Sequence, residues 1–358
     1  MRATCATIHM AALRSNLRRV RELAPGRRVL AVVKADAYGH GLERAARALQ
    51  GADAFGVAAI QDGQRLRAAG FSQRIVVMAG IDHPDDVVEM RRLDLDSVVH
   101  SDEQIGWLAD ERSGRPIRTW LKIDSGMHRL GFAPERVPAV FDRLKSLPNV
   151  ASDIVLMTHF ANSDVFDDEL THDQTDAFER AVVGRTGEHS LANSAAVIGW
   201  PEAHGDWVRV GGALYGISLV AGKVGADFGL RPAMTLSTRL IAVNRLKAGD
   251  QVGYGSTWQC PVDSIIGVAA IGYGDGYPRA VRNGAPVLVN GRRARIAGRV
   301  SMDLTTIDIT DQPDAKIGDP VGMWGQGLPI EEVADAAGTI GYELVCGMTR
   351  RVRFVEED

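Results

Sequence analysis

Val29-Leu30-Ala31-Val32-Val33-Lys34-Ala35-Asp36-Ala37-Tyr38-Gly39-His40-Gly41 runs from five apolar residues into a lysine and then into a segment with two glycines. The apolar run reads as a strand buried in a sheet, and the glycine-bearing segment as the turn that leaves it. A lysine at that junction points an amine into a site walled by apolar backbone. There the charged form is disfavoured, and the free amine becomes a nucleophile for Schiff-base chemistry. The commoner fate of a strand-end lysine is to snorkel to water, so the remainder of the chain has to choose between the two.

Short apolar runs like this one recur at 54–57, 75–78, 97–99, 117–123, 154–158, 189–192 and 207–210, making eight strand candidates. Amphipathic segments separate them, such as Leu42-Ala45-Ala46-Leu49 and Val137-Val140-Phe141-Leu144. Eight strand–helix units in about 200 residues fit a parallel (β/α)8 barrel. An open doubly wound sheet would need a strand-order reversal and usually a Gly-rich first turn, and neither is visible. Beyond Arg231 helical spacing nearly vanishes and β-rich segments follow, with Asn290-Gly291 as a hairpin signal. The expected fold class is therefore α/β, a barrel over 9–230 followed by an antiparallel β domain over 231–358. Residues 1–8 are candidates for pairing with that second domain.

The bulk properties exclude several classes. The chain has 358 residues, 45% of them hydrophobic and 24% charged, as in an ordinary globular protein. A formal charge of -4 argues against nucleic acid or an anionic membrane as the main partner. Three widely spaced cysteines (Cys5, Cys260, Cys346) form no CxxC pair, which fits a reducing compartment without a zinc site or disulfide framework. There is no apolar run long enough to span a bilayer, and the expectation is a cytoplasmic protein.

Barrel enzymes carry their chemistry at the carboxyl ends of the strands. On this assignment Lys34, Lys122 with Asp124, His159, Asn193 with Ser194, and Arg209 with Gly211-Gly212 all fall at one rim. The Ser194 hydroxyl and the Gly211 and Gly212 amides suit a phosphate, because no Cβ keeps an anion from the backbone. A rim lysine opposite a phosphate cradle suggests pyridoxal phosphate. Each residue also has an ordinary alternative: His159 as a satisfied histidine, Gly211-Gly212 as a tight turn, Arg209 as an ion-pair partner. Gly272-Tyr273-Gly274-Asp275-Gly276 is spaced GxGxG rather than GxGxxG and has no helix after it, so it is not a dinucleotide loop. His159, His172 and Asp173 make no metal spacing.

Together these segments resemble the alanine racemases, fold-type III pyridoxal-phosphate enzymes. The motifs are AVVKADAYGHG at 31–41, LKIDSGMHRLGF at 121–132, THFANSD at 158–164, ANSAA at 192–196, RVGGALYG at 209–216, VGYGSTW at 252–258, IGYGDGYPR at 271–279 and GRVSMD at 298–303. The resemblance implies a racemase that interconverts L- and D-alanine, for peptidoglycan or for alanine catabolism. Lys34 matches the Schiff-base lysine and one catalytic base, and Tyr254 the second base. Tyr38, Ser194, Gly211 and Gly212 match phosphate ligands, His159 the histidine beside the ring, and Arg209 the arginine on the pyridine nitrogen. Arg129, Tyr273, Met302 and Asp303 correspond to residues around the substrate. Lys122 is similar to a lysine often carboxylated in the family. Asp164, Arg279 and Arg299 resemble a polar entrance. The family places Tyr254, Tyr273 and Met302 in the partner's site, which implies a homodimer with shared active sites. Many members have asparagine where Asp36 stands, and some have a phosphate-binding tyrosine where Arg350 stands. A fold-type III decarboxylase, a racemase of broader specificity, and a pyridoxal-phosphate carrier without catalysis are the competing readings. Arg209 argues against the decarboxylase, and the β domain with Tyr254 against the carrier.

Overall fold

The structure, a computed structural model, describes residues 3–111, 114–218 and 220–358. The chain divides into two compact units. One holds Asn16–Ala37 and Gly41–Leu214; the other holds the residues up to Ser15, Tyr38–His40 and Tyr215–Asp358.

The first unit is a ring of eight parallel strands. In spatial order they are His189–Ser190, Val155–Met157, Thr119–Lys122, Leu95–Val99, Arg74–Val77, Ala54–Val57, Arg28–Val32 and Trp207–Val210. The ring nearly closes where the Arg209 amide donates to the Ala192 carbonyl (3.0 Å) and Asp206 to His189 (2.8 Å). The barrel read from the sequence is therefore present, with all eight strands near their expected places. Strands of this kind are buried on both faces, which is why they read as continuous apolar runs. Asp96 is an exception, fully buried in its strand. It is matched by Arg118 Nε at 2.7 Å, by Trp120 Nε1 at 3.0 Å and by Arg74. The segment expected over 189–192 forms a ladder only at His189–Ser190. Beyond it the chain turns into the helix Ser194–Gly199, whose cap is Asn193, accepting from the Ala196 amide at 3.0 Å.

Lys34 leads into a backbone conformation that the sequence did not announce. Ala35, Asp36, Ala37 and Tyr38 all lie near φ +52° to +55°, a left-handed helical turn in residues that disfavour it. Two backbone bonds define the turn, from Ala37 to Val33 and from Gly41 to Asp36, each 2.9 Å. Asp36 Oδ1 then accepts from the Leu42 amide at 3.0 Å and from Arg65 Nη2 at 3.1 Å. An asparagine at 36 could make the first of these bonds equally well.

In the second unit six antiparallel strands close on themselves: Ser264–Ala269, Thr305–Asp308, Arg292–Ile296, Pro286–Val289, Pro320–Trp324 and Met234–Leu246. Met234–Leu246 also pairs with Cys5–His9, which in turn pairs in parallel with Arg353–Glu357. The near absence of helices expected after Arg231 needs correction, because Ile330–Ala337 and Gly341–Cys346 are helical. Among the described residues no helix is long and apolar enough to cross a membrane.

Candidate active site

Arg209 is the best-anchored polar group at the barrel rim. It is 3% exposed. Its Nη1 donates to the Ser190 carbonyl (2.7 Å) and hydroxyl (2.9 Å). Its Nη2 donates to the carbonyls of Thr158 (2.6 Å) and Leu191 (3.1 Å), and to His159 Nδ1 (3.1 Å). Nε is buried and has no hydrogen-bond partner among the described residues. A guanidinium fixed this firmly leaves one donor for something else to accept. Burial draws its pKa down to about 10, so it remains a cation at neutral pH.

His159 takes its state from this neighbour. Because Arg209 can only donate, His159 Nδ1 must accept, which puts the proton of the neutral ring on Nε2. Burial, with the positive charges of Arg209, Lys122, Arg129 and Lys34, holds the imidazole well below its ordinary pKa. The same surroundings act on Lys122: burial first, then Arg209, Arg129 and Lys34, hold its amine well below the usual lysine range. Lys34 itself is exposed at the rim. The desolvation expected at Lys34 thus falls on Lys122 and His159 instead.

Ser194 Oγ accepts from the amides of Gly211 (3.0 Å) and Ala213 (3.4 Å), so the loops after the last two strands converge on one hydroxyl. Asn193 is steadied by the Ser163 hydroxyl at 2.9 Å. Arg129 is exposed on the excursion that leaves the strand end at Lys122 and returns where Phe132 donates to the Lys122 carbonyl (3.0 Å). Asp164 is half-buried in the loop after His159.

The remaining residues belong to the second unit. Tyr38 packs against Tyr215 at 4.8 Å and edge-on to Tyr342 at 5.3 Å. Burial, and to a lesser degree Cys346, push its phenol up to about 12, so it is a proton donor rather than a base. Tyr254 opens a short turn after Gly253, against the Arg299 backbone, and is 72% exposed. Met302 is 53% exposed and Tyr273 38%. Arg279, Arg299, Asp303 and Arg350 are exposed as well. The glycines of 271–279 serve close packing: a Cβ on Gly272 would lie 2.2 Å from the Ser301 carbonyl oxygen.

Sequence reasoning missed the carbonyls of Thr158, Ser190 and Leu191 around Arg209, which no side-chain pattern reveals. It also gave no capping role to Asn193, although an asparagine just before Ser194-Ala195-Ala196 is a helix-start signal.

An amine, a buried guanidinium and a neutral imidazole at the carboxyl rim of a parallel barrel define the class as a barrel enzyme. Two family models cover nearly all of the chain, the alanine racemase N-terminal domain over residues 8–219 and the alanine racemase C-terminal domain over 233–356. The chain belongs to the alanine racemase family. It is 49% identical over 347 residues to an alanine racemase of Shewanella baltica, with 97% of each chain covered. To one of Shewanella loihica it is 48% identical over 341 residues, 95% of each. Among solved structures, the biosynthetic alanine racemase of Pseudomonas aeruginosa matches with a TM-score of 0.97 at 42% identity, over 100% of both chains. The alanine racemase of Acinetobacter baumannii matches with a TM-score of 0.94 at 38% identity, again over 100% of both.

Proposed function

We infer that this chain interconverts L- and D-alanine with pyridoxal phosphate as cofactor, as a homodimer in the cytoplasm. The observation that carries the cofactor assignment is the buried, unpartnered Nε of Arg209, on the same rim as Lys34. These residues fit the group. Lys34 would hold it covalently, Arg209 Nε would donate to its ring nitrogen, and His159 would lie beside the ring. Ser194, whose hydroxyl accepts from the Gly211 amide and so has its own proton to donate, would take the phosphate with the Gly212 amide, and Tyr38 is proposed as a further phosphate ligand. Bound there, the cofactor supplies a conjugated electron sink for the charge left on an amino acid's α-carbon when the proton departs.

The chain's own groups do the rest. Arg209 would donate to the ring nitrogen without giving up a proton, which would keep the sink weak and favour return of the proton to the same α-carbon. Lys34 Nζ removes or returns that proton on one face, and Tyr254 Oη of a second copy does so on the other. The exposure of Tyr254, Tyr273 and Met302, large side chains that no core of their own chain covers, supports a second copy as their destination. Arg129 orients the substrate, Tyr273, Met302 and Asp303 line its pocket, and Asp164, Arg279 and Arg299 form the way in.

Lys122 is proposed as a carboxylated lysine. Its amine, held below the usual range, loses its proton readily and attacks the carbon of carbon dioxide. An N–C bond forms, one C=O pair moves to oxygen, and the amine proton goes to solvent. The resulting anion sits among Lys34, Arg129 and Arg209. Without the modification, the unfolded chain binds the proton that the folded Lys122 sheds, so this lysine destabilises the fold below the ordinary lysine pKa of about 10.4 and the penalty shrinks as pH rises toward it. Lys122→Met should therefore be more stable than carbon-dioxide-depleted parent at pH 7, with the gap closing toward pH 10. Urea denaturation across that range checks it; a pH-independent gap would remove the explanation.

Hydrogen exchange at Cα of both alanine enantiomers in deuterated water tests the function. A racemase exchanges and inverts both, a carrier exchanges neither, and a decarboxylase releases carbon dioxide.

A further inference from the structure

We propose that Arg351 is a positioning residue that fixes the spacing of Tyr273 and Met302 and thereby the size of side chain the enzyme accepts. The inference rests on the reading above, in which these two residues line the substrate pocket.

Three segments meet at Arg351. Adjacent antiparallel strands, paired at Ala269 and Thr305, send out the loops 272–276 and 301–304 from the same end. Tyr273 donates to the Ser301 carbonyl (3.1 Å) and Gly274 to the Met302 carbonyl (2.8 Å). Thr349 ties the third segment on, its hydroxyl donating to the Gly274 carbonyl (2.9 Å) and its amide to the Asp275 carbonyl (3.2 Å). From there the Arg351 guanidinium spans both loops. Its Nε faces Asp275 Oδ1 at 3.3 Å, and its Nη2 donates to Asp303 Oδ1. Its Nη1 lies so close to Gly274 that a Cβ there would come within 2.3 Å.

Isolated surface ion pairs hold little. This one differs because Asp275 is fully buried and its other oxygen is already engaged by the Gly272 amide at 3.1 Å. A planar fork can address two carboxylates at fixed separation; a lysine supplies a single point charge and cannot. The two loops carry Tyr273 and Met302 at their tips, so the fork sets the gap between those side chains. Packing discriminates by one methylene about 10–200-fold at best, a margin that small shifts in the gap would erode.

Two measurements on the holoenzyme test this. In Arg351→Gln, the Tyr273 and Gly274 amides should exchange with deuterium about tenfold faster, while amides of the Arg28–Val32 strand stay unchanged. The preference for L-alanine over L-2-aminobutyrate in kcat/KM should fall about tenfold, mainly through a higher KM for alanine. Arg351→Lys should recover the parental thermal midpoint but not the preference, because it restores charge without the fork. Recovery of both together would reduce Arg351 to a structural role and overturn the proposal, as would unchanged exchange at Tyr273 and Gly274. If the parent turns over neither amino acid while the exchange still accelerates, the functional reading fails and the clamp itself stands. Should Arg351→Gln not fold, Asp303→Asn, which removes one of the two carboxylates the fork holds, carries the exchange measurement alone: faster exchange at Tyr273 and Gly274 supports the clamp and unchanged exchange overturns it.

Discussion

Lys34→Ala is expected to abolish the visible absorbance of bound pyridoxal phosphate and to lower alanine racemisation by more than about 10⁴-fold. A positioned general base contributes on the order of 10²–10⁴-fold, and this substitution removes the covalent anchor as well. The fold should not suffer. Lys34 is exposed, so its truncation belongs with surface changes worth within about 0.5 kcal/mol. Spectrophotometry after dialysis against the cofactor, with a thermal melt as control, separates the two effects. An unchanged visible spectrum would remove Lys34 from the site.

Tyr254→Phe should keep the absorbance and lose racemisation by about 10²–10⁴-fold. Its diagnostic lies in how the loss is distributed. L- and D-alanine have equal free energies, so kcat/KM must remain equal in the two directions for any variant. The asymmetry has to be sought in hydrogen exchange. With only Lys34 left, the proton of one enantiomer is removed and returned on the same face. In deuterated water that enantiomer should take up deuterium with retention of configuration, while the other exchanges hardly at all. Equal exchange of both would exclude Tyr254 as the opposite base. Mixing Lys34→Ala with Tyr254→Phe subunits adds the assembly test. Random pairing makes about half of the dimers mixed, each with one intact site of two, so about a quarter of parental activity should return if sites are shared.

The barrel was legible in the sequence because parallel strands buried on both faces leave unbroken apolar runs, and 29–33 or 154–158 can hardly be anything else. The helix Ile330–Ala337 escaped, although Ile330, Val333 and Ala334 are spaced for one buried face. Gly341–Cys346, at six residues, is too short for periodicity to register. The left-handed turn was beyond reach: alanine at 35 and 37 and tyrosine at 38 carry no preference for that conformation, which only the surrounding fold imposes. At the site, strand-end position alone picked out Lys34, Lys122, His159 and Arg209. What each does there depends on groups far off in the chain. The tautomer of His159 follows from Arg209, fifty positions away, and the low pKa of Lys122 first from its burial in the assembled barrel and then from the charges of Arg209, Arg129 and Lys34.

The ring of six strands in the second unit carries Cys5–His9 on its long strand, and Arg353–Glu357 covers that strand in turn, as the last strand of the sheet among the described residues. Its sequence, Arg353-Phe354-Val355-Glu356-Glu357, places charge at three of five positions, the means by which natural sheets discourage aggregation. Beneath it lies Cys-Ala-Thr-Ile-His, uncharged but for its histidine and largely apolar. A variant without residues 353–358 would lack that shield and bare a sticky rim, so it should precipitate well before its barrel unfolds.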